Sequence, residues 1–202
     1  MTTGAGLPVW DERYAAGWAY GTEPNDFLRS VASRIPAGPV LCLAEGQGRN
    51  AVFLAEQGHA VTAVDQSAVG LARAAELAAS RGVSITTTVA DLQDFLIAPG
   101  AWQGIVSVFA HVPSALRRRV HAAVIAGLAP GGVFVLEAYA PEQLGFGTGG
   151  PRDPDLLMPL SALREELQGL TLEIAEACER EVVEGAHHTG VASVVRILGV
   201  KP

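Results

Sequence analysis

The sequence predicts a single Rossmann-like α/β domain over residues 1–202: a doubly wound sheet of about seven strands, mostly parallel with a C-terminal antiparallel strand, and helices on both faces. Three observations carry the prediction. Strand-length apolar runs alternate with helical periodicity between residues 39 and 139, as successive parallel βαβ units require. A glycine pair, Gly46 and Gly48, falls between the first such strand and the first such helix. Finally, 202 residues with 49% hydrophobic and 17% charged side chains can bury one sizeable core, which excludes a disordered chain and a disulfide-stapled miniprotein.

Residues 1–36 read as an N-terminal helical cap, with helical segments at about 10–18 and 25–35. Pro39 to Ala44 is a brief apolar run bounded by proline and glycine, hence a buried strand. Helical spacing in Ala51, Phe53, Leu54 and Ala55 lasts until Gly58, and Ala60–Val64 returns to strand and stops at Asp65. An alanine-rich helix follows from about Ser67 to Arg81, then strands over Val83–Val89 and Gly104–Phe109, then a helix from about Pro113 to Leu128. Pro130-Gly131-Gly132 turns the chain into a strand ending at Tyr139. The stretch 140–159, rich in proline and glycine, is longer than an ordinary connection and leaves the carboxyl edge of the sheet, so it is a candidate substrate lid. A helix near 160–169 precedes strands at about 171–183 and 191–199, joined by a stretch from Glu184 to Gly190 short enough for a hairpin.

A mean hydropathy of +0.28 raises the question of a membrane. The apolar runs, such as Gly132–Ala138, are strand-length, and none reaches the roughly 20 residues that span a bilayer. With no basic segment before an apolar one at the N-terminus, the chain reads as soluble and cytoplasmic. Fourteen basic against 21 acidic side chains give a formal charge of −7, which argues against affinity built on neutralising phosphates, and so against a nucleic-acid partner. The basic run Arg117-Arg118-Arg119 reads as a solvated helix face. Cys42 and Cys178 have neither a second pair nor metal-ligand spacing, so they are expected to be two buried thiols, and no metal site is expected. Monomer and homodimer stay equally open.

Gly46-Gln47-Gly48-Arg49-Asn50-Ala51 satisfies G-x-G-x-x-A between a strand and a helix, and Asp65 closes the next strand. Two ligands suit such a loop: a dinucleotide such as NAD, with its pyrophosphate on the helix N-terminus, or S-adenosylmethionine, with its methionine tail by the loop and its ribose on Asp65. Glu45 separates them. A like-charge pair at about 4 Å costs roughly 4 kcal/mol at an effective dielectric near 20, so a carboxylate there repels pyrophosphate and attracts an ammonium or sulfonium. A Glu45 turned out to solvent would carry no such discrimination.

Val40-Leu-Cys-Leu-Ala-Glu-Gly-Gln-Gly-Arg-Asn50, Val61-Thr-Ala-Val-Asp-Gln-Ser67 and Leu128-Ala-Pro-Gly-Gly-Val-Phe-Val-Leu-Glu137 resemble the class I S-adenosylmethionine-dependent methyltransferases. Trp10-Asp-Glu-Arg-Tyr14, Tyr20-Gly-Thr-Glu-Pro24 and Gly48-Arg-Asn50 are similar to the tellurite-resistance and thiopurine methyltransferase-like branch. There are two departures from the pattern: Cys42 stands where an acid is common, and Ala44-Glu45 replaces Gly-Cys. The resemblance implies that Gly46, Gly48 and Asn50 belong to the cofactor loop and that Asp65 accepts from both ribose hydroxyls. It further implies that Gln66 and Ser67 flank the adenine, that Asp91 and the Leu92 N–H read its edge, and that Phe109, Ala110 and His111 line the methionine and sulfonium region. Asp65 as a helix cap, Asp91 as a turn residue and Phe109 as core packing are the plainer alternatives. Trp10, Tyr14, Trp18 and Tyr20 place four of the chain's twelve aromatic residues close together, either as a helix over the cofactor, with Tyr14 or Tyr20 reaching the methionine carboxylate, or as cover for the sheet edge.

Methyl transfer from a sulfonium is an in-line displacement, so positioning can supply most of the catalysis and a base is optional. His111 and Tyr139, with Glu137 two residues before it, are the candidates for a chemical role. His187-His188, on the expected hairpin, reads as solvent-exposed. The expected function is methyl transfer from S-adenosylmethionine, with S-adenosylhomocysteine as product, to a small-molecule acceptor such as a thiol or a metalloid. The other readings are an S-adenosylmethionine-binding sensor or partner module without transfer, and an NAD-type oxidoreductase.

Overall fold

Residues 7–185 and 188–202 are described by a computed structural model. Val40, Leu41, Cys42 and Leu43 are all buried, as a strand covered on both faces must be, and Pro39–Leu43 is the central strand β1. Along it Val40 and Cys42 face a core shared with Leu28, Leu54 and Val61, while Leu41 and Leu43 face a second core with Ile105, Phe134 and Leu163. The other strands are β2 (Ala60–Asp65), β3 (Thr86–Val89), β4 (Trp102–Val108), β5 (Leu128–Tyr139), β6 (Thr171–Glu184) and β7 (His188–Val200). They form one sheet in the order β3-β2-β1-β4-β5-β7-β6. The first five are parallel, and β7 enters antiparallel between β5 and β6. The helices are α1 (Leu7–Ala15), α2 (Asp26–Val31), α3 (Arg49–Glu56), α4 (Ala68–Ser80), α5 (Ser114–Gly127) and α6 (Leu160–Glu166). The order of strands reverses at β1 and β4, where doubly wound sheets open a crevice at the strands' carboxyl ends.

Several expected elements differ in extent. Glycine at 131 adopts φ +78°, but it does not turn the chain into a new strand. Trp102 already pairs with Leu128, so Pro130-Gly131-Gly132 is a bulge inside β5, pinned where Gly131 N–H donates to Lys201 O and Lys201 N–H to Gly132 O, both at 2.9 Å. β3 begins only at Thr86, because Val83 N–H is spent on the end of α4, donating to Ala78 O at 3.0 Å. The hairpin strands extend to Glu184 and from His188, so the ends of the expected 184–190 stretch are strand. The exposure expected for His187 and His188 lies outside what is described, His187 as a residue and His188 in its side chain. Arg117 does not face solvent: it is 4% exposed and bound to Glu166, whereas Arg118 and Arg119 are exposed. Of the two thiols, Cys42 is buried and Cys178 only half-buried. Among the described residues no helix is long and apolar enough to cross a membrane.

Candidate functional site

The crevice at β1 and β4 begins with two strained residues. Ala44 (φ +48°) and Phe109 (φ +52°) follow these strands, and both adopt the left-handed conformation that residues with a Cβ avoid, which is a pattern of functional sites. After Ala44 the chain places Glu45 inward. Its Oε1 accepts from Asn50 N–H and Ala51 N–H, each at 2.9 Å, and so occupies the first turn of α3. Burial pushes the Glu45 carboxyl up to about 7, against the pull of those two amides and of Arg49. Glu45 is neither turned to solvent nor idle: it takes the amides a pyrophosphate would need.

Asp65 ends β2 beneath the same loop. Oδ2 accepts from Gly46 N–H and Oδ1 from Ser67 N–H, both at 2.8 Å, which leaves further lone pairs facing the crevice. Burial raises its carboxyl above the usual range, the two amides opposing. The cap of α4 is Ser67, whose Oγ accepts from Gly70 N–H and donates to Asp11.

The N-terminal segment closes over this loop. Gln47 is the fastener, because its Oε1 accepts from Ala19 N–H at 2.8 Å while its Nε2 donates to Gly17 O at 2.6 Å and Tyr14 O at 3.3 Å. Tyr14 then lies on the glycines, so close that a Cβ on Gly46 would stand 2.6 Å from its hydroxyl and one on Gly70 2.8 Å from its ring. Arg13 stacks over Trp10 with 4.8 Å to the ring centroid and donates to Tyr20 Oη at 2.8 Å. Among the described residues no carboxylate pairs with it.

These walls enclose a cleft of about 950 Å³, at the upper end of small-ligand sites and so roomy enough for a cofactor and an acceptor. The loop side presents Tyr14, Tyr20, Glu45, Asn50, Asp65 and Gln66, and the next wall Asp91 and Leu92. The far wall is Phe109, Ala110, His111, Val112 and Pro113, closed by Gly149, Gly150, Pro151 and Leu156 of the 140–159 loop. Behind that wall Tyr139 is buried, with its ring 4.7 Å from Phe109 and 5.5 Å from His111. His111 Nδ1 lies 2.8 Å from Leu156 O, and Tyr139 N–H approaches His111 Nε2 at 3.4 Å. A carbonyl can only accept and an amide can only donate, so the imidazole carries its proton on Nδ1.

Of the residues expected from sequence, Gly46, Gly48, Ser67 and Tyr139 do not line the cleft. Gly46 gives its N–H to Asp65, and Gly48 (φ +87°) lets α3 and α4 touch, for a Cβ there would stand 2.5 Å from that of Ala74. Tyr139 cannot meet an acceptor directly, being covered by Phe109, His111 and Gly150. Asn50 faces the cleft yet also props the cap, its Oδ1 accepting from Asn25 N–H at 2.9 Å. Glu137 lies inside the sheet bound to Asn25, Arg180 and Arg196 and does not line the cleft. Arg13 and Gln47 were not singled out from sequence, although both sit inside the motifs quoted for the resemblance.

Known proteins resemble this chain in part of its sequence and in its fold. Residues 40–132 match the methyltransferase domain family. A structure solved in a study of the conversion of a disulfide bond into a thioacetal group during echinomycin biosynthesis shares the fold, with a TM-score of 0.77 at 20% identity over 96% of this chain and 92% of that one. TehB from Haemophilus influenzae gives 0.71 at 18% identity, over 87% of this chain and 61% of TehB. A 2-heptyl-1-hydroxyquinolin-4(1H)-one methyltransferase from Mycobacteroides abscessus is 27% identical over 125 residues, 60% of this chain and 55% of its own, so the chain spans little more than half the length of that curated relative. Solved S-adenosylmethionine-dependent methyltransferases share this fold. The residues fit that cofactor: carboxylates at Asp65 and Asp91 suit a diol and an amine, and Glu45 suits a cationic tail and blocks a phosphate cradle.

Proposed function

We propose that the chain is an S-adenosylmethionine-dependent methyltransferase whose acceptor is a small molecule with an apolar body and a soft nucleophile, a thiol first. The observation that carries this reading is Glu45 seated on the α3 amides at 2.9 Å, beside a cleft whose other carboxylates suit a nucleoside. When bound, S-adenosylmethionine supplies an electrophilic methyl group on a sulfonium. Asp65 receives the ribose hydroxyls, and Asp91 with the Leu92 N–H receives the adenine edge. Arg13 and Tyr20 hold the carboxylate end, while Glu45 and the face of Phe109 favour positive charge. His111 keeps both ring nitrogens in hydrogen bonds, so it bounds the acceptor side with its ring and does not take the acceptor's proton. Phe109, Val112, Pro113, Leu156 and the lid glycines exclude water, which favours in-line transfer to an acceptor already deprotonated.

That apolar wall argues for a thiol over a metalloid oxyanion. A hydroxylated heteroaromatic is a second reading, supported by the same wall and by the relative that acts on 2-heptyl-1-hydroxyquinolin-4(1H)-one. Calorimetry with S-adenosylhomocysteine and NAD, followed by a transfer screen over thiols, metalloid oxyanions and hydroxyquinolones, tests the proposal. Binding of S-adenosylhomocysteine with transfer to a thiol is the expected result. Tighter binding of NAD would restore the oxidoreductase reading, and binding without transfer to any acceptor would leave a sensor.

A further inference from the structure

The end of the lid loop is held at three successive residues by the corner between β4 and α5. Asp155 Oδ2 accepts from Ser114 N–H at 3.1 Å, supplying a cap that Pro113 cannot. Leu156 O meets His111 Nδ1 at 2.8 Å, and Leu157 O accepts from Arg117 Nη1 at 3.2 Å. Arg117 is buried, and its Nε and Nη2 grip Glu166 at 2.9 to 3.2 Å. Glu166 is held from its other side by His121 Nδ1 at 2.6 Å. Burial pushes the Glu166 carboxyl up, but His121 and Arg117 overcome this and hold it down at about 2.

A tie between α5 and α6 would need only the grip on the carboxylate. The bond from Nη1 to Leu157 O is additional, and it holds the residue next to Leu156 of the cleft wall. We propose that Arg117 is a positioning residue for the acceptor wall: clamped by Glu166 and His121, it fixes Leu157, and through the adjoining peptide it aims the Leu156 carbonyl that sets the tautomer of His111. A planar guanidinium can serve the carboxylate with one edge and a carbonyl with another N–H, whereas an ammonium on a flexible stem cannot hold both geometries. The inference rests on the acceptor-side reading of His111 given above.

The test is 15N NMR of the His111 ring in the full chain, with two variants. Arg117→Lys keeps the charge opposite Glu166, and the double change Arg117→Met with Glu166→Leu removes both buried charges, an exchange that folded proteins often tolerate. The unsubstituted chain should show one tautomer, protonated at Nδ1. In both variants the ratio of tautomers should fall about tenfold, the worth of one hydrogen bond, while S-adenosylhomocysteine affinity measured by calorimetry stays within about twofold. An unchanged His111 pattern in either folded variant overturns the proposal, as does loss of fold in both, which would leave the cluster a purely structural role. Failure of the methyltransferase reading would appear separately, as no binding of S-adenosylhomocysteine by the unsubstituted chain, and the ring signals would still decide the role of Arg117.

Discussion

Asp65 serves the protein before any ligand arrives, because its two oxygens hold Gly46 N–H and Ser67 N–H. Asp65→Ala should therefore weaken S-adenosylhomocysteine binding by about 1.5–3 kcal/mol and also lower stability by about 1–3 kcal/mol for each amide left unpaired. Calorimetry and thermal unfolding read the two effects separately, and unchanged affinity would make the residue a strut alone. Glu45 has a titration of its own. Its carboxyl is held at about 7 in the folded chain against an ordinary 4.5, so the folded state binds the extra proton between these values. Stability is then full below about pH 4.5 and falls by about 3 kcal/mol as pH rises through 7. Glu45→Gln keeps an acceptor oxygen for the α3 amides and should flatten that slope in unfolding measured from pH 4 to 9. A slope that survives the change assigns it to other groups.

Elements meet in this fold at points where a side chain would not fit. Gly48 combines φ +87° with the approach of Ala74, whose Cα would stand 2.7 Å from an added Cβ. Gly48→Ala should cost about 1–2 kcal/mol for the left-handed backbone and about 1–3 kcal/mol for separating α3 from α4. A shift of the unfolding midpoint by less than one degree would contradict that packing. The lid is a second case. Expected as one loop over 140–159, it contains short 3-10 turns at Pro141–Gly145 and Pro154–Leu156, and it is fastened where Gln143 Oε1 accepts from Ser193 N–H and Met158 N–H donates to Tyr139 O. Hydrogen exchange in the free chain should be slow at Ser193 and Met158 and fast at Gly145 and Gly147, with only the fast stretch slowing once cofactor and acceptor are present. Uniform protection of the whole loop in the free chain would remove the lid.

At the scale of the molecule, the cleft exists because α1, the glycine loop, the ends of β4 and β5 and the lid converge, so cofactor binding should stabilise all of them together. S-adenosylhomocysteine at a hundred times its Kd should add about 2.7 kcal/mol, roughly 5–10 °C in midpoint for a chain of this length, whereas NAD should add none. An equal shift with NAD would contradict the role given to Glu45. The order of strands and helices and the positions of Asp65, Asp91 and Phe109 at strand ends were legible in the sequence, because apolar periodicity and glycine turns act over a few residues. The mate of Arg117 was not: Glu166 lies 49 residues away, and only the packing of α6 against α5 brings a carboxylate to it. The same holds for Gln47, whose partners come from the N-terminal segment, and for Tyr139, hidden when Gly150 lies on its ring. Local patterning thus determined the sheet and its binding edge. Which polar groups face the cleft and which are spent holding the walls was decided by contacts between residues distant in the chain, since a buried donor or acceptor must find its partner wherever the fold provides one.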